Sequence, residues 1–295
     1  MPRRAVTLNN VLRTRPWRSA SLRLLTDHDR DEVLALCDRD PVANVFVGAR
    51  VRSASLDPAR LGGQLWGYPD VGELTAVCYS GANLVPVEAG PEAIEAFAAK
   101  ARMQGRRCSS VVGPAAAVAQ LWSLLAPSWG APRDIRPAQP VMAITGPSPM
   151  PPDPLVRAVQ PSELDVVLPS CIAMFTEEVG VSPIGADGGA AYRARQADLI
   201  GAGRSLARIE DDGRVLFKAE IGAVTPLACQ IQGVWVPPEA RGRGHAVRGM
   251  AAVVRAALTM APVVSLYVND FNLPARAAYR HAGFTDVGTF MSVLF

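Results

Sequence analysis

From Thr145 to Pro154 the chain reads Thr-Gly-Pro-Ser-Pro-Met-Pro-Pro-Asp-Pro, five prolines in ten residues. Proline fixes φ and has no amide hydrogen, so each one removes a helix or ladder hydrogen bond, and a run of them favours an extended spacer. The 295 residues are therefore expected to form two units, 1–144 and 155–295, joined by a linker over 145–154. Hydrophobic residues at 49% against 19% charged are enough for two cores and argue against disorder.

Thirty basic residues face 27 acidic ones, a net charge of +3. That balance indicates neither a nucleic-acid nor a membrane partner, so any anion site must be local. The basic stretch Met1 to Trp17 lacks the apolar segment of a signal peptide, and no apolar run approaches the roughly 18 residues of a membrane span, so a cytoplasmic protein is expected. Five cysteines and three histidines are too scattered to spell a metal knuckle or a redox motif, so buried thiols and no metal site are expected.

In the second unit, Leu155 to Val159 reads as a short strand, Pro161 to Glu178 as a helix and Ala190 to Ile200 as another. Ser205 to Ile209, Val215 to Val224 and Cys229 to Val236 read as a meander of three strands. From Gly244 to Met260 the apolar positions Val247, Met250, Ala251, Val254 and Leu258 share one helical face, and Val263 to Val268 is a buried strand. Asn272 can cap a helix running to His281, with Pro274 in its first turn, Gly283 ending it and a strand region beyond.

The first unit repeats this order more faintly. Strands are expected at 21–25, across 64–81, at 84–87 and at 108–112, with helices at 29–37, 91–103 and 115–125. The fold class is mixed α/β (α+β): two diverged copies of one fold, each a mixed, mostly antiparallel sheet with helices on both faces.

Chemistry concentrates in the stretch from Gly233 to Ala246, which runs strand, turn, helix. Gly242 and Gly244 allow positive φ and leave no side chain in the way, so successive amides can face one anion. The helix that follows adds about half a positive charge at its N-terminus, and Arg241 and Arg243 add whole ones. A pyrophosphate is the ligand these features suit.

The turn resembles the acyl-CoA signature of the GCN5-related N-acetyltransferase (GNAT) superfamily: Arg or Gln, two residues, Gly, one residue, then Gly or Ala. Here those positions are Arg241, Gly244 and Ala246. Asn272, Tyr279 and Gly283-Phe284 are similar to the family's second signature, and the resemblance covers about Leu155 to Phe295. It implies that Val234, Trp235 and Val236 pair with the pantetheine arm of acetyl-CoA (coenzyme A). It implies further that the amides of Arg241, Gly242, Arg243, Gly244, His245 and Ala246 hold the pyrophosphate, that Asn272 contacts the cofactor, and that Tyr279 protonates the departing thiolate. The implied reaction moves an acyl group to a primary amine by direct attack in a ternary complex.

An amine must lose a proton before it attacks, and Glu220, a carboxylate within an apolar strand, is the candidate acceptor of that proton. Phe175, Glu177, Glu178 and Tyr192, on the helix pair after Pro161, hint at an amine or cationic ligand. In the first unit the corresponding turn is Glu88-Ala89-Gly90-Pro91-Glu92, acidic and without the basic glycine spacing, so this half is expected to be a degenerate GNAT-like domain. The layout is similar to two-domain actinobacterial acetyltransferases whose N-terminal domain has no assigned function. A non-catalytic acyl-CoA sensor and an aminoacyl-tRNA-dependent transferase are the alternatives. The acceptor, small molecule or protein, and the choice of monomer or homodimer stay open.

Overall fold

Residues 21–185 and 187–295 are described by a computed structural model, and the basic stretch 1–17 lies outside them. The first half comprises β1 (Arg23–Leu24), α1 (Arg30–Cys37), α2 (Val45–Ser53), α3 (Pro58–Leu61), β2 (Gly63–Tyr68), β3 (Ala76–Gly81) and β4 (Asn83–Val87), followed by α4 (Pro91–Gln104), β5 (Ser110–Pro114), α5 (Ala115–Trp129) and β6 (Asp134–Ile144). The second comprises β7 (Arg157–Ala158), α6 (Leu164–Val179), α7 (Ala190–Gly201), β8 (Ser205–Ile209), β9 (Val215–Val224) and β10 (Ala228–Trp235), followed by α8 (His245–Ala257), β11 (Val263–Tyr267), α9 (Leu273–His281) and β12 (Thr285–Leu294). The mixed sheet and the repeated order match the expected fold class, while α2, α3 and β6 are additions to the sequence reading.

Pairing shows the repeat directly. β1 to β4 form an antiparallel series and β4 runs parallel to β5; β7 to β10 form the same series and β10 runs parallel to β11. The halves then exchange their last strands. β6 pairs with β11 and β12, and β12 pairs with β5 and β6, so one twelve-stranded sheet runs β1-β2-β3-β4-β5-β12-β6-β11-β10-β9-β8-β7.

The cores follow the exchange. Met142 and Ile144 of β6 are buried with Phe217, Met250 and Phe284 of the second half, and Met291 and Val293 of β12 with Phe97 and Leu121 of the first. Each such side chain contributes about 1.5–3 kcal/mol by leaving water. Helix α2 adds a further tie, because Val45 and Ala49 pack against Ala223, Ala228 and Val263 of the second half.

β6 is a central strand despite Pro137 and Pro140, and its register shows how. The register with β12 skips from Gln139↔Phe290 to Arg136↔Ser292, a β-bulge that takes up Pro137. Pro140 lies beyond the 141–144 register with β11, where its carbonyl still accepts from the Val268 amide at 3.1 Å. The proline-rich run that follows is tied down: Asp153 is buried, accepts from Arg208 at 3.0 Å, and donates its amide to the Arg248 carbonyl. Burial pushes the Asp153 carboxyl up, but the Leu155 amide and Arg208 outweigh it and hold the group below the usual carboxylate range.

Helix α8 presses closely on the sheet. A Cβ on Gly249 would lie 2.6 Å from ring atoms of Phe217, so Gly249→Ala is expected to cost about 1–3 kcal/mol by overpacking, read as a lower urea midpoint. Because β11 and β12 both depend on β6, residues 145–295 expressed alone are expected to aggregate or to melt without a cooperative transition. Co-expression with residues 1–144 should restore a soluble complex on size exclusion, and a monomeric, cooperatively folding fragment 145–295 would count against the exchange.

Candidate functional site

After β10 the chain makes one short turn of helix at Pro238–Ala240, then Arg241, Gly242 (φ 75°), Arg243 and Gly244 (φ 81°), and enters α8. Both glycines need the left-handed region that other residues avoid. A Cβ on either would meet nothing within 4 Å, so the space over the turn is open. No side chain caps α8, and the amides of Gly242 through Val247 have no backbone partner among the described residues. A helix start with free donors, no cap and a positive dipole end suits an anion. Arg243 is exposed, and its guanidinium has no partner among the described residues, leaving it available to a phosphate.

The strand leading into this turn parts from its neighbour. β10 and β11 pair only from Ala228↔Val263 to Gln230↔Ser265, although both strands continue beyond. On the other edge the register with β9 slips between Gln232 and Trp235, where Gly233 stands at φ 60° and forms a bulge. Val234, Trp235 and Val236 therefore border a gap that is not closed by sheet pairing, which is where a chain such as pantetheine could add its own hydrogen bonds.

Arg241 is held differently from Arg243. Its Nε donates to the Val236 carbonyl at 3.0 Å and its Nη2 to Glu177 Oε2 at 2.7 Å, and that same oxygen accepts from the Trp235 indole at 3.2 Å. The Arg241 hydrogen bond, chiefly, holds the Glu177 carboxyl below the usual range. The guanidinium thus ties the turn to the end of α6. His245 and Ala246 are the first two residues of α8 and half-buried.

The second motif forms the facing wall. Asn272 caps α9 by accepting from the Ala275 amide at 3.2 Å, with Pro274 in the first turn. Tyr279 is 8% exposed on that helix, and its hydroxyl has no partner among the described residues. Burial, and then the charge of Glu178, push its pKa above the ordinary tyrosine value. Gly283, at φ 101°, ends the helix where the linker crosses it, and a Cβ there would lie 2.7 Å from Pro149 Cδ.

Between the end of α6, the start of β6 and the segment leading into α9 lies an open cleft of about 460 Å³, lined in part by Glu177, Glu178, Arg136, Asn269 and Asn272. Arg136 arrives on the exchanged strand β6 and pairs with Glu178 at 2.8 Å, and Asn269 donates to the same Glu178 oxygen at 2.8 Å. Arg136, Gln139 and Asn269 were missed from the sequence. Asn269 alone carried a signal there, as a polar residue at the carboxyl end of the buried strand Val263 to Val268, where α/β sheets bind ligands. A larger hollow of about 580 Å³ lies among α1, α2 and α3, but its Arg30 and Arg52 are spent on backbone carbonyls and on Asp38.

Glu220 is placed beneath the bulge, at 2% exposure. Lys218 donates to one carboxylate oxygen at 2.7 Å and Gln232 to the other at 3.1 Å, so each oxygen already holds one partner. In the first half, β4 and β5 also part after Leu84↔Val111. The turn there differs: Glu88 accepts from Asn44 at 2.9 Å, and α4 begins on Pro91, which has no amide hydrogen to offer an anion.

Residues 182–284 match the model of the acetyltransferase (GNAT) family, and residues 63–167 match a domain of unknown function (DUF4081). An acetyltransferase of the GNAT family from Colwellia psychrerythraea has the same fold, with a TM-score of 0.59 at 13% identity over 93% of this chain and 99% of its own. A Drosophila protein gives 0.62 at 15% identity over 93% and 98%, and a tandem GNAT protein from the clavulanic acid biosynthesis pathway gives 0.55 at 15% over 93% and 98%. No curated protein matches the chain. Residues 182–284 thus match a GNAT acetyltransferase domain and residues 63–167 a DUF4081 domain, on a fold shared with a tandem GNAT protein, and acyl transfer is the chemistry of the matched family.

Two substitutions separate structure from chemistry at this site. Glu220→Ala leaves Lys218 as a buried charge without a partner and is expected to cost about 3–5 kcal/mol, read by denaturant unfolding. Gly233→Ala forces a side chain into left-handed backbone, with its Cβ 3.1 Å from Met174 and 3.2 Å from Glu220, and is expected to cost at least about 1–3 kcal/mol. Faster amide hydrogen exchange in β10 should accompany that loss, and unchanged protection would remove the bulge from this account.

Proposed function

We propose that the chain is an acetyl-CoA-dependent N-acyltransferase that moves an acetyl or short acyl group to a primary amine, with the chemistry in residues 155–295. The observation that carries the reading is the uncapped start of α8, where amides from Gly242 onward lack partners beside two strands that have parted. In this reading the amides of Gly242 to Ala246 and the guanidinium of Arg243 hold the pyrophosphate, while the Arg241 amide, expected from the sequence to join them, is spent on the Pro238 carbonyl at 3.3 Å. The edge of β10 at Val234, Trp235 and Val236 holds the pantetheine arm, and Arg241 braces the turn from behind through Glu177. When bound, acetyl-CoA supplies a thioester carbon open to attack by an amine.

Tyr279 is the proton donor to the leaving sulfur, and Asn272, capping the same helix, fixes where the donor stands. Residues 1–144 serve as a structural partner without a phosphate turn of their own, and 145–154 connects the two. No helix among the described residues is long and apolar enough to cross a membrane. All five cysteines are free and buried, which suits the reducing cytoplasm where acyl-CoA is made.

Calorimetry tests the cofactor step: acetyl-CoA is expected to bind the wild type, and Gly244→Ala to weaken it at least about ten-fold, ~1.4 kcal/mol. Thiol release over a panel of primary amines tests the chemistry, and Tyr279→Phe is expected to lower kcat/KM by about 10²–10⁴-fold with cofactor affinity retained. Because the Tyr279 pKa is raised, its donor form persists as pH rises through the ordinary tyrosine value, so no descending limb is expected below about pH 10. Binding without turnover across the panel would favour the sensor reading, and absence of binding would end both.

A further inference from the structure

We infer that Glu178 is the group that receives the acceptor amine, and that Arg136, brought in on the exchanged strand β6, is the residue that positions it. This rests on the acyl-transfer reading above. Glu178 stands at the end of α6 with its side chain about half exposed in the cleft beside Asn272. Its Oε1 accepts from Arg136 Nη1 and from Asn269 Nδ2, each at 2.8 Å, while Oε2 has no partner among the described residues. Arg136 also donates to the Glu178 carbonyl, which fixes the backbone that carries the carboxylate.

The grip continues behind it. Gln139 of β6 donates to Asn269 Oδ1 at 2.9 Å, and Ser292 of β12 donates to Gln139 at 2.6 Å, with all three residues buried. A free glutamate side chain loses rotamer entropy on being fixed, so one oxygen held from two segments and braced from a third is an arrangement that aims the other. Two neighbouring carboxylates are committed elsewhere. Glu220 has both oxygens occupied beneath the bulge, and Glu177 is tied to the phosphate turn through Arg241 and Trp235. Of the carboxylates lining the cleft, Glu178 is the one whose charge reaches the Tyr279 hydroxyl, and it reaches Tyr267 as well.

The assignment closes the proton count. Glu178 Oε2 takes one proton from the acceptor ammonium, and the freed lone pair forms the nitrogen–carbon bond as the carbon–sulfur bond breaks. Tyr279 gives its proton to the sulfur and regains one from the new amide nitrogen. The proton on Glu178 leaves to solvent, so an ammonium and a thioester become an amide, a thiol and one proton.

The test uses the full chain labelled with ¹³C at glutamate carboxyls, and n-propylammonium as the probe, titrated into the tens of millimolar. A saturable shift of the resonance that Glu178→Gln removes is the expected result, and a resonance that does not move overturns the inference. On any amine that turns over, Glu178→Gln is expected to lower kcat/KM at least about 100-fold with acetyl-CoA affinity within about two-fold of wild type. Arg136→Met should lower kcat while leaving the KM for acetyl-CoA unchanged, and Arg136→Lys should recover most of the loss. Unchanged kcat/KM in Glu178→Gln removes Glu178, and full kcat in Arg136→Met removes Arg136. If acetyl-CoA binds and Glu178 is silent, this inference alone fails; if acetyl-CoA does not bind, it falls together with the acyl-transfer reading.

Discussion

The antiparallel pairing of β6 with β12 is the contact on which the rest of the molecule depends. Each half keeps five of its six strands beside one another, and the sixth place is filled by the last strand of the other half. Backbone hydrogen bonds left unmade at the middle of a sheet would be costly, because buried amides and carbonyls are nearly always paired. The exchange also carries side chains across, so neither core is filled without the other's strand. The proline-rich run does not separate two independent bodies, since its Asp153 is held by β8 and α8 and its Pro149 lies over Gly283.

From that arrangement follows the composition of the cleft. One wall is the end of α6, the second is the segment leading into α9, and the third includes β6, a strand of the first half. A lone copy of the fold would need its own last strand at that place. Here the strand comes from the copy whose turn is acidic and starts its helix on Pro91, so that half still contributes Arg136 to the charge pattern of the cleft. Only the second half has the uncapped turn with two left-handed glycines before its helix, and both halves have a share in the walls.

The sequence showed what is local and hid what is not. Helices α8 and α9 were legible because apolar positions such as Met250 and Val254 recur on one face, and because Asn272 and Gly283 mark the ends of α9 by capping chemistry. The glycine turn before α8 was legible because it depends on positive φ at Gly242 and Gly244, a property of single residues. β6 was not, since Pro137 and Pro140 argue against a central strand and only the bulge opposite β12 reconciles them with one. Helix α2 was hidden by its run of valines around Gly48, which favours no helix by itself and is settled by packing on β9 and β10. The network from Ser292 to Glu178 joins residues 91 to 153 positions apart in sequence, and no spacing rule connects them.

The interleaved ends also set an order of events during synthesis. The first half leaves the ribosome with β5 still an open edge, because the strand that covers it is the last in the chain. Unpaired sheet edges are templates for pairing with other chains, and contacts between distant segments form slowly. The nascent protein thus carries an exposed edge from the synthesis of β5 to that of β12, the ten-residue strand that closes the sheet.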